Sequence, residues 1–270
     1  MIAPSEPTSK SAPAPSVGHT LSVDFIFFSV LTIGGNVLAV IGRDECSGFI
    51  LNASSMNKKG ESVLACLMTF LSYLTTFGHK CARMVFDNEA VFVSVKVPLG
   101  HEGVEAVYLP SGLHNKRVER AIRHIKERER TMLCELPYAL PAILTGELLD
   151  AAIVSINAMP DTRSGPSVSP YQLVTARRPK VRQHSFGAIG MCYSLRADSP
   201  NDRAEWGIYL DNADNATSSI YPTPRTSGVE KEVCREFRSP ACGLEACAKD
   251  GEQGREPSFN ARPDSEDTDR

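Results

Sequence analysis

The chain predicts an α/β fold in which a mixed sheet flanked by helices is followed by a small C-terminal β module. Three observations lead there. Three strand-like runs come before any helical pattern, strand-like and helical segments then alternate, and a last group of short strand-like segments follows a basic stretch. At 270 residues and 42% hydrophobic content, the chain can bury a sizeable core in one or two units.

The elements follow in order. Residues 25–41 carry no charge, which raises the question of a membrane span. Gly34-Gly35-Asn36 interrupts the run between β-branched and aromatic residues, so it predicts a hairpin, with strands over 22–32 and 37–42. A span would also leave Asp24 without a role. A third strand is expected over 46–52. Val63, Leu64, Leu67, Leu71 and Leu74 recur at helical spacing within 58–77. A short buried strand over 83–86 ends at Asp87. A helix over 88–97 stopped by Pro98 and a strand over 104–109 stopped by Pro110 come next. A helix over 140–156 is entered through Pro141.

Between those last two elements lies the most informative helix. Val118, Ile122 and Ile125, with Ala121 beside them, form its apolar stripe, and Asn115 is placed to cap it. Lys116, Glu119, Arg123, Lys126 and Arg130 form a second stripe. A solvated face laced with pairs such as Glu119 with Arg123 accounts for that stripe equally well when it is taken alone, at about 0.2 to 0.5 kcal/mol per pair.

Asp24 sits in the first apolar strand, Asp87 at the end of a buried one, and Glu119 on the first turn of this helix. Acids rarely enter such segments unless they are paired or bind a metal. Their oxygens suit Mg²⁺ or Mn²⁺, and two such ions about 3.5 to 4 Å apart support phosphoryl transfer without a protein nucleophile. Against this, Asp24 also reads as an edge-strand acid and Asp87 as a helix cap.

The order of short motifs resembles a known family. Asn115-Lys116-Arg117-Val118-Glu119-Arg120 is similar to the N-G-V-V-E-R signature that carries the last acid in integrases of copia-type retrotransposons and retroviruses. Phe86-Asp87-Asn88-Glu89 resembles the segment of the second acid. Ser169-Pro170-Tyr171-Gln172 and Ala176-Arg177-Arg178-Pro179 resemble the S-P-Y-E and G-R-K-P that follow the core. Glu205-Trp206-Gly207-Ile208-Tyr209-Leu210, with Tyr221 and Thr223, resembles the small C-terminal β module, so the likeness spans residues 21–238. There are two departures. Lys116 and Arg117 stand at the family's Gly and Val, and ahead of Asp24 there is only His19 and no Cys, so the family's His-His-Cys-Cys zinc module is not expected in this stretch.

The resemblance implies a ribonuclease-H-like catalytic core over 21–160, a basic linker over 161–183 and a β module over 184–238. Residues 1–20 and the acidic tail 239–270 are expected to be disordered, and the first lacks the apolar core of a cleaved signal. It also implies that Asp24, Asp87 and Glu119 are both catalytic residues and metal ligands, Asp24 bridging two Mg²⁺ or Mn²⁺ ions. The reactions would be 3′-end processing, with water as attacker, and DNA strand transfer, with a 3′-hydroxyl. Asn115, Lys116, Arg123, Lys126, Arg177, Arg178 and Lys180 are the candidate DNA contacts, the last three equally readable as a solvated linker. DNA and further copies of the chain are the expected partners, with no membrane, and the expected location is the nucleus with a cytoplasmic phase. The alternative is a domesticated or decaying relative that binds nucleic acid without catalysis.

Net charge and thiols qualify this picture. The formal charge of −3 is unusual for a DNA-binding chain, but it averages an acidic tail against basic stretches at 115–130 and 175–182. The eight cysteines are scattered without a C-x-x-C, which fits a reducing compartment. Cys234, Cys242 and Cys247 form the nearest thing to a zinc cluster. His114 borders the Glu119 helix and is a candidate phosphate contact or a solvated loop residue. His79, His101, His124 and His184 lack ligand spacing.

Overall fold

The computed structural model describes residues 14–110, 112–160, 168–179, 184–193, 204–212, 218–222, 232–234 and 237–238; for 191–206 and beyond 210 it describes the backbone alone. β1 (Thr20–Phe27), β2 (Leu38–Asp44) and β3 (Ile50–Ser55) form an antiparallel meander. Helix α1 (Gly60–Thr76) then carries the chain to β4 (Arg83–Phe86), which lies parallel to β1. Two short helices, α2 (Ala90–Ser94) and α3 (Lys96–His101), lead to β5 (Glu105–Tyr108), parallel to β4. The sheet order is β3-β2-β1-β4-β5, with β1 at the centre.

Both faces are covered, so β2 is buried throughout, while β1 sets Leu21, Val23 and Phe25 on one face and Thr20, Ser22 and Asp24 on the other. Leu21, Val23, Phe25, Leu38 and Val40 face α1, whose Val63, Leu67, Phe70 and Leu74 complete one core cluster. Ile26, Ala39 and Ile41 face the other way, onto Val118, Ala121 and Ile125 of α4 (Lys116–Cys134) and Leu148, Leu149, Ala152 and Ile153 of α5 (Thr145–Ala158). α1 packs tightly on Gly42 of β2, since a Cβ there would lie 2.9 Å from the Phe70 ring.

Several elements differ from the sequence expectation. The hairpin is present, but β1 ends at Phe27, and the connection to Leu38 turns at Gly35 (φ 70), whose N–H donates to Thr32 O. Residues 25–41 are therefore two paired strands and a loop, and no helix among the described residues is long and apolar enough to cross a membrane. The third strand begins at Ile50, not at residue 46, because Asp44 holds residues 44–49 in a turn. Its buried carboxylate accepts from the Ser47 N–H (2.8 Å), the Ser47 hydroxyl (2.6 Å) and the Gly18 N–H (3.0 Å). Pro98 does not stop a helix. It lies in the first turn of α3, where its missing N–H is not needed. The core also starts ahead of residue 21, since Val17 packs on the first cluster.

α5 is preceded by a 3-10 turn, Ala142–Leu144. Its Asn157 side chain takes both backbone groups of Ile50 on edge strand β3, accepting from the N–H (2.9 Å) and donating to the carbonyl (2.8 Å). α6 (Pro170–Thr175) explains its own motif. Ser169 caps it, Pro170 opens it, and Gln172 closes a capping box through its N–H to Ser169 Oγ (3.2 Å) and its side-chain oxygen to the Ser169 N–H (3.3 Å). β6 (Ile189–Tyr193), β7 (Ala204–Asn212), β8 (Ser218–Pro222), β9 (Glu232–Cys234) and β10 (Phe237–Arg238) form a second sheet, ordered β10-β6-β7-β8-β9. Phe186, Ile208 and Leu210 join the second core cluster, and the Tyr138 hydroxyl donates to Gly187 O at 2.6 Å. The acidic tail 239–270, Lys180 and the candidate zinc thiols lie outside the described residues or side chains.

Candidate active site

The parallel register of β1 and β4 pairs Val23 with Phe86. The next residues, Asp24 within β1 and Asp87 just past the end of β4, therefore stand side by side on neighbouring strands. The third acid is brought in by the start of α4, which is tied to β4 through Asn115. Its N–H donates to Asp87 Oδ1 (3.1 Å), its side-chain amide donates to Val85 O (3.3 Å), and its carbonyl accepts the Glu119 N–H (3.0 Å). Asn115 is the N-cap residue of α4, as expected, but its side chain makes no cap hydrogen bond; at 5% exposure it is a buried link between β4 and α4.

Electrostatics joins the three acids. Burial pushes the Asp24 carboxyl up to about 6, opposed by the Phe25 N–H that donates to its Oδ1 at 2.7 Å and reinforced by the negative charges of Asp87, Glu89 and Glu119. Glu89, the last residue of the Phe86-Asp87-Asn88-Glu89 motif, is a fourth acid in this cluster. It stands before α2, its N–H donates to Asp87 O (2.8 Å), and its carboxylate pairs with Lys58 at 2.5 Å. Lys58 in turn lies over the Phe25 and Phe27 rings, 4.8 and 5.1 Å from their centroids.

His114 sits between two of the acids, its Nδ1 3.8 Å from Asp87 Oδ2 and 3.6 Å from Glu119 Oε1. Gly112 (φ 84) turns the loop that carries it. Glu119 thus meets His114, and among the described residues it forms no ion pair with Arg123. The donor set is all carboxylate oxygen around a desolvated Asp24, a composition suited to a hard divalent cation. Among the described residues, however, no three His, Cys, Asp or Glu side chains already stand converged as an ion cage.

The expected cationic stripe of α4 is exposed at Lys116, Arg123, Lys126 and Arg130, as are Arg177 and Arg178 after α6. Arg117 belongs elsewhere. It forms an ion pair with Glu45 in the turn after β2, a contact 72 residues distant that no local pattern could announce.

No family model matches the chain, and no curated protein does. Among solved structures, it is similar to the catalytic core domain of BIV integrase (16% identity, 58% of this chain and 93% of that one, TM-score 0.44). The HTLV-2 integrase catalytic core domain in complex with magnesium matches at 15% identity over 60% of this chain and 99% of that one (TM-score 0.46). A chain of the simian T-cell lymphotropic virus intasome in complex with PP2A regulatory subunit B56 gamma matches at 13% identity over 84% and 80% (TM-score 0.49). By its own strand order and directions, the chain has the ribonuclease-H-like mixed sheet expected from the sequence, flanked by helices and followed by a small β sheet.

Proposed function

We propose that the chain is the polynucleotidyl transferase core of a retrotransposon integrase, carrying out metal-dependent 3′-end processing and DNA strand transfer. The observation that carries this reading is the placement of Asp24 in β1 beside Asp87, just past the end of the parallel β4, with Glu119 near enough to act on Asp24. Asp24, Asp87 and Glu119 would hold Mg²⁺ or Mn²⁺. Bound there, the ions supply Lewis-acid activation of the attacking and leaving oxygens. The protein's own part is to hold the acids together and to present exposed cations to the DNA backbone. Lys116, Arg123 and Lys126 do so along α4, and Arg177 and Arg178 after α6; Lys180, outside the described residues, belongs to the same reading. Further copies of the chain and a nuclear location with a cytoplasmic phase belong to the same reading.

Mn²⁺ titration followed by electron paramagnetic resonance tests the metal step directly. The wild-type chain is expected to bind the ion and Asp87→Asn to lose at least tenfold in affinity, whereas equal binding by both chains would remove Asp87 from the site. If DNA binds but is neither cut nor joined with either ion, the chain is a non-catalytic relative that binds nucleic acid.

A further inference from the structure

Glu45 occupies an unusual position between the two halves of the proposed site. Its carboxylate is 11% exposed and engages two partners, one oxygen each. Oε1 accepts from the Ser22 hydroxyl at 2.9 Å, and Oε2 accepts from the Arg117 guanidinium. Its own N–H donates to Thr20 O at 3.0 Å, which anchors it to the start of β1. Ser22 is fully buried two residues ahead of Asp24 on the same face of β1, and Arg117 lies two residues ahead of Glu119 in the first turn of α4. One carboxylate therefore ties the strand bearing the first acid to the helix turn bearing the third.

We propose that Glu45 is a positioning residue that sets the helix start, and with it Glu119, relative to Asp24. This rests on the reading of these acids as a metal site. Asn115 fixes the same turn to β4 and Asp87. The two links together constrain α4 from both sides: Asn115 sets its approach to Asp87, and the Arg117–Glu45 pair sets its rotation and height over β1. A helix start held at only one point can pivot. The Glu45 carboxylate is mostly out of water although Arg117 is 36% exposed, so removing Arg117 strands a largely buried charge and the effect should be larger than for a surface pair.

The test uses Glu45→Gln, which keeps an acceptor for Ser22 but not the charge, with Arg117→Met, the double variant and the conservative Arg117→Lys. Amide exchange is read across the first turn of α4 and compared with α1 and α5, and Mn²⁺ affinity is read by electron paramagnetic resonance. The proposal predicts faster exchange confined to the α4 start. It predicts Mn²⁺ affinity about tenfold weaker in Glu45→Gln and Arg117→Met, the low end for groups that orient ligands, no further loss in the double variant, and partial recovery in Arg117→Lys. Unchanged exchange at the α4 start overturns it, as does a general loss of stability with unchanged Mn²⁺ affinity. A wild-type chain that binds no Mn²⁺ removes the metal reading instead, and the exchange measurement then decides alone whether the Glu45 link holds the helix start.

Discussion

Glu129 shows how far a single residue's surroundings can move its chemistry. It lies on α4 and lines a cleft with Leu133, Leu140 and Leu148, and burial pushes its carboxyl up to about 7, opposed by Lys126 and Arg130. Because the folded chain holds this proton more tightly than the unfolded one, the stabilisation is complete below about pH 4.5 and fades as pH rises through about 7. Glu129→Gln should therefore match wild type in denaturant unfolding at pH 4.5. At pH 8 it should be more stable by about 1 kcal/mol, allowing for partial solvent screening; equal stability at both pH values would contradict this. Asp24, Asp87 and Glu119 stand out in the sequence, each in a short motif within an apolar or helical pattern. The Glu45 partnership of Arg117 and the burial of Asn115 do not, since both depend on contacts 30 or more residues away. His114 was visible only as a neighbour of the helix, and its place between two carboxylates comes from the loop's path.

Among the elements, the strands and helices whose period was unbroken could be read from sequence, and the misreadings have local causes. The 46–52 strand was set too early because Cys46 and Gly48 belong to the turn that Asp44 organises. The break at Pro98 was misplaced because proline is tolerated in a helix's first turn. β3 raises a separate question, since an edge strand exposes unpaired backbone groups. Asn157 of α5 answers it at Ile50 by satisfying both groups with one amide. Replacing that amide leaves a buried donor and acceptor unmet, so Asn157→Ala should cost about 1 to 3 kcal/mol in denaturant unfolding. A loss below about 0.5 kcal/mol would mean that water or another group takes over.

For the whole molecule, the meander β1-β2-β3 followed from sequence because sequential strands pack as neighbours, whereas the crossover that sets β4 beside β1 and not beside β3 was not legible there. What the pattern could not convey is how two core clusters on opposite sheet faces leave Asp24 of β1 beside Asp87 after β4. The proposed DNA path draws on exposed cations from separate segments. Neutralising Arg177, Arg178 and Lys180 together should weaken binding equally on all sequences and lower the slope of log affinity against log salt by about 2 to 3. A sequence-selective loss would assign them to base reading instead.

The central claim is that Asp24, Asp87 and Glu119 form one metal-dependent centre for DNA strand transfer. Its most direct test is joining of a short duplex carrying the element's own ends to a supercoiled plasmid, with Mg²⁺ or Mn²⁺, by wild type and Glu119→Gln. The variant keeps the side chain's size while losing the charge that would hold the ion. The account predicts metal-dependent joined product from wild type, and none from a Glu119→Gln chain that folds and binds DNA as well as wild type does. Joining by Glu119→Gln at the wild-type rate, or no joining by a wild-type chain that binds these ends, would contradict it.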